Sequence, residues 1–199
     1  MTNDPRFARS ADALAAAVLA LAAERPIERI SVTEIARHAR VTRATFYNHA
    51  TSPSMLLTRT LEAELDRIRS DFLEEVTADP GEVERIWRDS ELSLVQHLLA
   101  HAAVYRCGLA PAEGAHGSVL AALLASHLEG GLLAYADVSG MRADGSDLVR
   151  LEMAAAFVSQ GTVGALRAWL LGPAPHHPDI AVDTIVGFIP AMWFALARD

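Results

Sequence analysis

From Thr42 to His49 the chain runs Thr42, Arg43, Ala44, Thr45, Phe46, Tyr47, Asn48, His49, a stretch dense in hydroxyl, guanidinium, amide and imidazole groups. On a helix these groups fall within little more than two turns, close enough to meet a phosphate backbone and base edges together. Arginine's planar fork matches guanine O6 and N7, a pairing worth about 1–3 kcal/mol of discrimination. Threonine and tyrosine hydroxyls suit phosphate oxygens, which take the larger share of contacts in such complexes. The flanks agree, because no Asp or Glu occurs between Ile35 and Leu61, whereas Arg37, His38, Arg40, Arg43, His49 and Arg59 do. The net charge of −8 argues against general affinity for polyanions, but it is unevenly spread. Residues 1–51 hold seven Arg against five acids, and residues 52–199 hold ten against twenty. A local window is open to nucleic acid in an otherwise acidic chain.

Other chemistries lack their residues. There is no Gly-rich phosphate loop, no HExxH, no nucleophile elbow and no framework around the single Cys107, so enzymatic activity, a bound cofactor and a metal are not expected. His176 and His177 sit between Pro175 and Pro178 without Cys or acidic ligands at metal spacing, and read as linker. One cysteine cannot form an internal disulfide, which favours a reducing cytoplasm. The apolar run Ala13–Ala23 is preceded by Asp4 and Asp12, unlike an export signal, and the run from Ile180 to Ala197 carries Asp183 and Pro190. No membrane partner is expected.

The elements that position the polar run are helices. Hydrophobic residues make up 51% of the chain and aromatics only 6%, with Ala and Leu dominant and β-branched runs absent, which implies an all-α fold. Start and stop signals divide it into nine helices. The first spans about Ser10 to Glu24 and stops before Pro26. Ser31 with Glu34 three residues on forms a capping box for a short second helix ending near Arg40. Thr42 caps a third helix to about His49, and Ser52-Pro53 opens a long fourth, to about Thr77, with Leu57, Leu61, Leu65, Ile68 and Phe72 on one face. A fifth passes through Ile86, Leu94 and Leu98, and a sixth covers about Ala102 to Cys107. After a loop over Pro111–Gly117, the seventh runs from Val119 to about Ala136 with a kink allowed at Gly130 and Gly131. A polar loop from Ser139 to Gly145 precedes the eighth, Ser146–Leu171, and the ninth ends near Leu196.

Ser31-Val-Thr-Glu-Ile-Ala36, then Ala39, Val41-Thr-Arg-Ala-Thr-Phe-Tyr47 and His49, resembles the DNA-binding domain of the tetracycline-repressor (TetR) family over about residues 10 to 57. The resemblance implies a nine-helix subunit: a three-helix helix-turn-helix domain over residues 1–52 and a helical ligand-binding and dimerisation domain over 53–199. It further implies a cytoplasmic homodimer that binds a double-stranded DNA operator and a small-molecule inducer. Carried over by position, Thr33 and Tyr47 would touch phosphates and Thr42 would cap the recognition helix. Arg43 would read a base, with Ala44, Thr45, Asn48 and His49 beside it, and Phe46 would be core. The sequence departs from the family at Pro26 and Arg40, where glycine is usual, at Pro53 in place of a lysine, and at Ala22 and Ala50 in place of phenylalanine. The alternative is therefore a ligand- or protein-binding dimer whose DNA-binding head is weakened or lost.

In the second domain, Ala154, Gly161, Gly164, Ala165 and Trp169 on the eighth helix, with Ile185, Phe188, Ile189 and Met192 on the ninth, form a candidate dimer interface. Small residues allow close helix approach and large ones fill the grooves. His97, His101, Tyr105 and His127, on or beside apolar helices, are candidate polar groups of an inducer pocket.

Overall fold

The computed structural model describes residues 5–111, 118–141 and 148–198. Among them are nine α-helices and no strand: α1 (Pro5–Ala22), α2 (Val32–His38), α3 (Arg43–His49), α4 (Pro53–Ala78), α5 (Val83–Ala100), α6 (Ala102–Leu109), α7 (Val119–Val138), α8 (Leu148–Leu171) and α9 (Pro178–Phe188). Short 3₁₀ turns lie at Ile27–Arg29, Pro80–Glu82 and Ala191–Arg198. The expected loop at residues 112–117 and most of that at 142–147, with the start of the eighth helix, lie outside the described residues.

Two compact units result, one from residues 1–63 with 101–120 and the other from 64–100 with 121–199. The division differs from a cut at 52/53 for two reasons. The helix opened by Pro53 carries Leu56, Leu57 and Leu61 into the first unit's core before continuing, and α6 packs on α1. In this unit α1 turns Leu14, Ala17, Val18, Leu21 and Ala22 inward, against Ile35 and Ala36 of α2 and Phe46 of α3. Ala22 borders a small gap with Leu57, Val104, Gly108 and Leu120. α6 thus supplies part of the packing at a position where a larger residue was expected, and Gly108 lies so close that an added Cβ would stand 2.5 Å from Leu120 Cδ1.

The second unit is built on α5, α8 and α9, with an aromatic cluster inside. Trp87 and Tyr135 meet at 5.4 Å between centroids and Phe72 and Trp87 at 5.5 Å, while Tyr135 Oη donates 3.0 Å to the Trp193 carbonyl. Tilted and edge contacts of this kind add about 0.5–1.5 kcal/mol per pair beyond area burial.

Two expectations, the start of the first helix and the end of the ninth, are corrected. α1 starts at Pro5, five residues early, because proline suits a first helical turn that needs no N–H donor. α7 runs unbroken through Gly130 and Gly131, with the Arg69 stem 3.8 Å from where a Cβ on Gly131 would be. The ninth helix stops at Phe188 instead of reaching Leu196. Pro190 has no N–H and forces Ile189 to extended backbone (ψ 125°), after which the chain resumes as 3₁₀. α7 is the one helix among the described residues long and apolar enough to cross a bilayer, and Leu123, Leu124, Leu132, Tyr135 and Ala136 on it are buried in the protein.

Candidate functional site

α2 and α3 owe their short lengths to their caps. Ser31 Oγ accepts from the Glu34 N–H at 3.2 Å, while Glu34 Oε2 accepts from the Ser31 N–H at 2.9 Å, closing the capping box. Those bonds, reinforced by Arg25 Nη2 at 2.5 Å, hold the Glu34 carboxyl below its ordinary pKa and occupy the acid nearest the candidate interface. α2 ends in a Schellman motif: the Arg40 N–H donates to Arg37 O at 3.2 Å and the Val41 N–H to Ala36 O at 2.9 Å. Arg40 occupies the left-handed position with φ 56°, where glycine is usual. Two residues later Thr42 Oγ1 accepts from the Thr45 N–H at 3.0 Å and starts α3.

The result is an outward row of Thr33, Thr42, Arg43, Ala44, Tyr47 and Asn48, all exposed, with Arg37, His38 and Arg40 beside them. Phe46 is fully buried, and its ring meets Tyr47 edge-on at 5.6 Å, which holds the phenol on the surface. Thr45 is half-buried, and its hydroxyl lies 2.9 Å from Thr42 Oγ1, so it serves the cap first.

His49, expected on the outer face, is instead drawn into the first unit. Its ring stacks on Phe7 with centroids 4.0 Å apart, Nε2 lies 2.8 Å from Ser10 Oγ, and its carbonyl accepts from Arg59 Nη1 at 2.5 Å. Burial, with the Arg59 guanidinium adding, pulls the imidazole below its ordinary pKa. The side chain that sequence reasoning placed on DNA is thus buried in the first unit.

The second unit contains a small, partly open cleft among α4, α5, α7 and α8. Of the four residues expected at an inducer pocket, His127 lines it. His97 is buried with Nδ1 3.0 Å from Glu64 Oε2, while His101 precedes α6 and Tyr105 is fully buried in the first unit. Sequence reasoning missed Glu91. It lies four residues after Trp87 and three before Leu94, on the buried stripe of α5, and an acid on that stripe was the available signal. Glu91 is 7% exposed, and burial raises its carboxyl to about 7 against the opposing hydrogen bond from Trp87. Burial, with Arg69 adding, lowers His127 to about 4. The cleft thus holds an acid and a base that both favour their neutral forms.

On the candidate interface helices, Ile185 and Ile189 are buried within the unit, because α9 turns that face inward. Outside remain Phe157 (73% exposed), Phe188 (79% exposed), Met153, Ile180 and Met192, together with Gly161 and Gly164, where an added Cβ would meet nothing within 4 Å. Ala154, Ala165 and Trp169 are half-buried along the same helix.

The sequence profile described as bacterial regulatory proteins, tetR family, matches residues 14–57. No curated protein matches the chain. Among solved structures, the dihydroxyacetone kinase operon activator DhaS superposes with a TM-score of 0.58 at 16% identity, over 92% of this chain and 95% of that one. A candidate transcriptional regulator from Pseudomonas aeruginosa PAO1 gives 0.56 at 18% identity over 99% of both chains. RolR in complex with resorcinol gives 0.50 at 22% identity, over 97% of this chain and 95% of that one. At these identities the structures share a fold with this chain.

Proposed function

We propose that this chain, whose residues 14–57 match the tetR-family DNA-binding profile, works as a cytoplasmic homodimeric repressor of that family, with no enzymatic role. It reads a palindromic operator through α3 and is released when a small, largely apolar ligand occupies the second unit's cleft. The observation that carries the reading is the doubly capped α2–α3 pair with Arg43, Tyr47 and Asn48 outward in an acid-free window. In this arrangement the N-terminal residues of α3 meet base edges in the major groove, with Arg43 the reader. Thr33, Thr42 and Tyr47 supply phosphate contacts. The packed core beneath, from Leu14 to Leu57, favours this reading over a head that has lost DNA binding.

Two recognition helices must sit about 34–36 Å apart to read successive turns of one face of the duplex, which requires a second copy. The exposed apolar face of α8 and α9 is the surface we assign to it. Its glycines admit close approach, and an unpartnered face of this composition is unfavourable in water. Gly164→Arg has room within the subunit, so it should leave helix content intact while shifting the protein to monomer in sedimentation.

The main test is selection of binding sites from random duplex DNA, followed by mobility shift at several salt concentrations. Enrichment of an inverted repeat with steep salt dependence supports the reading; a folded dimer that enriches nothing overturns it. A reporter driven by the selected site fixes the sign of regulation. That step matters because DhaS, which shares the fold, is by its name an activator.

A further inference from the structure

Glu91 is a buried carboxylate-bearing residue for which the protein provides only half a partner set. One oxygen receives the Trp87 indole N–H, and Oε2 is buried with no hydrogen-bond partner. Buried acceptors in folded proteins are nearly always satisfied, so an unmet one beside a cleft points to something that fills the cleft. Glu91 is the only acid among the described residues lining that cleft, and Phe72, Trp87, Leu128, Leu132 and Val158 make its walls largely apolar. The other charged side chain at the cleft, Arg69, has Nη2 2.6 Å from Asp66 Oδ1, so part of its charge is already matched. His127 faces the cleft from α7 as a neutral imidazole at physiological pH.

We propose that this cleft takes a compact, largely apolar organic molecule that presents a hydrogen-bond donor, a hydroxyl or a protonated amine, to Glu91 Oε2. The inference deepens the regulator reading and rests on it only for what binding does to DNA affinity. A hydroxyl donates to Oε2 of the ionised carboxyl and keeps its own proton; the bond favours that ionised form, so any proton Glu91 held is released to solvent. A protonated amine forms an ion pair with the carboxylate, and any proton Glu91 held is released to solvent. Apolar walls supply the affinity and the unmet Glu91 oxygen supplies orientation, the usual division of labour in small-molecule sites. An isosteric ligand without a donor leaves Oε2 unmet and is rejected for that reason.

Three probes sharing one two-ring body separate these possibilities: 2-naphthol, naphthalen-2-ylmethanamine and 2-methylnaphthalene, titrated calorimetrically into the full chain without DNA. At least one donor probe should bind tenfold or more tighter than 2-methylnaphthalene. The tighter of the two identifies the donor, and proton release near pH 6, read from the enthalpy in two buffers, marks binding to the ionised Glu91 carboxyl. Glu91→Leu, checked for helix content by circular dichroism, should erase the preference. Glu91→Gln, which keeps an acceptor but no charge, should retain naphthol and weaken the amine. Equal affinity for all three, binding of none, or a preference that survives Glu91→Leu overturns the proposal. Because DNA is absent, failure here leaves the operator reading standing, and a protein that passes here but selects no DNA loses the regulator reading alone.

Discussion

Replacing Arg40 with glycine should stabilise the DNA-binding unit. Arg40 closes the Schellman motif between α2 and α3 at φ 56°, a conformation in which an L side chain crowds its own carbonyl at a cost of about 1–2 kcal/mol. Glycine removes that cost but gives the unfolded chain more freedom, which takes back about 0.5–1 kcal/mol. The net gain is about 0.5–1 kcal/mol, equivalent to a melting temperature higher by roughly 1–4 °C for a chain of this size. The reciprocal control lies in the same molecule. Gly140 ends α7 in the same motif at φ 77°, with nothing within 4 Å of an added Cβ, so Gly140→Ala should destabilise by about 1 kcal/mol through backbone alone. Thermal melts by circular dichroism measure both variants. Because two compact units need not melt together, exchange of the Val41 amide gives the local reading for Arg40. An unchanged or lower melting temperature with unchanged Val41 exchange in Arg40→Gly would refute the reasoning. If Arg40 also meets a phosphate, the same variant lowers the slope of log affinity against log salt by about 0.9.

On selected operator DNA, Arg43→Ala should relax preference at one base pair by about 1–3 kcal/mol, while Tyr47→Phe should weaken all sites about equally; mobility shifts on a mismatch panel read the difference. Ser31→Ala removes the cap acceptor of α2 and should cost about 1 kcal/mol of stability in urea titration, with the loss concentrated in α2 amides. Gly108→Ala places a methyl 2.5 Å from Leu120 Cδ1 and should destabilise by about 1–3 kcal/mol through overpacking, whereas Gly81→Ala, whose nearest neighbour would be Asp79 Oδ1 at 3.7 Å, should not.

The short helices of the first unit were legible because their signals are local. Ser31 with Glu34, Thr42 and Pro53 each sit within four residues of the backbone groups they satisfy or replace, and the observed starts follow them. His49 was not legible. Its fate depends on Phe7, which reaches it only because α1 begins at Pro5, and a contact 42 positions away leaves no trace in local spacing. The packing beside Ala22 was half legible: the missing volume could be read from residue type, but that α6 would supply part of it could not. On α8 and α9 the apolar residues exceed one face, so composition could not tell that Ile185 turns inward and Phe188 outward. Glu91 was passed over because charge alone suggested solvent, although its place on the stripe of Trp87, Leu94 and Leu98 argued otherwise.

Glu91 and His127 also make opposite demands on pH, and together they hide each other. Glu91 rises in the folded chain from 4.5 to about 7, so its contribution to stability is fully present below pH 4.5 and is lost as pH climbs through about 7. His127 falls from 6.5 to about 4, so its contribution is fully present above pH 6.5 and is lost as pH drops through about 4. Between about pH 4.5 and 6.5 the folded state holds the Glu91 proton that the unfolded state lacks, and lacks the His127 proton that the unfolded state holds. Each contributes a slope of about 1.4 kcal/mol per pH unit there, with opposite sign, and the pair cancels. Glu91→Gln removes one slope. Relative to the parent chain it should lose stability by about 1.4 kcal/mol per unit as pH is lowered from 6.5 to 4.5. His127→Phe should show the mirror image, losing stability against the parent as pH is raised across the same window. Urea titrations at four pH values across that range measure both differences. Parallel pH profiles for either variant and the parent would show that the corresponding side chain keeps its ordinary ionisation in the fold, and the neutral acid–base pair assigned to the cleft would have to be abandoned.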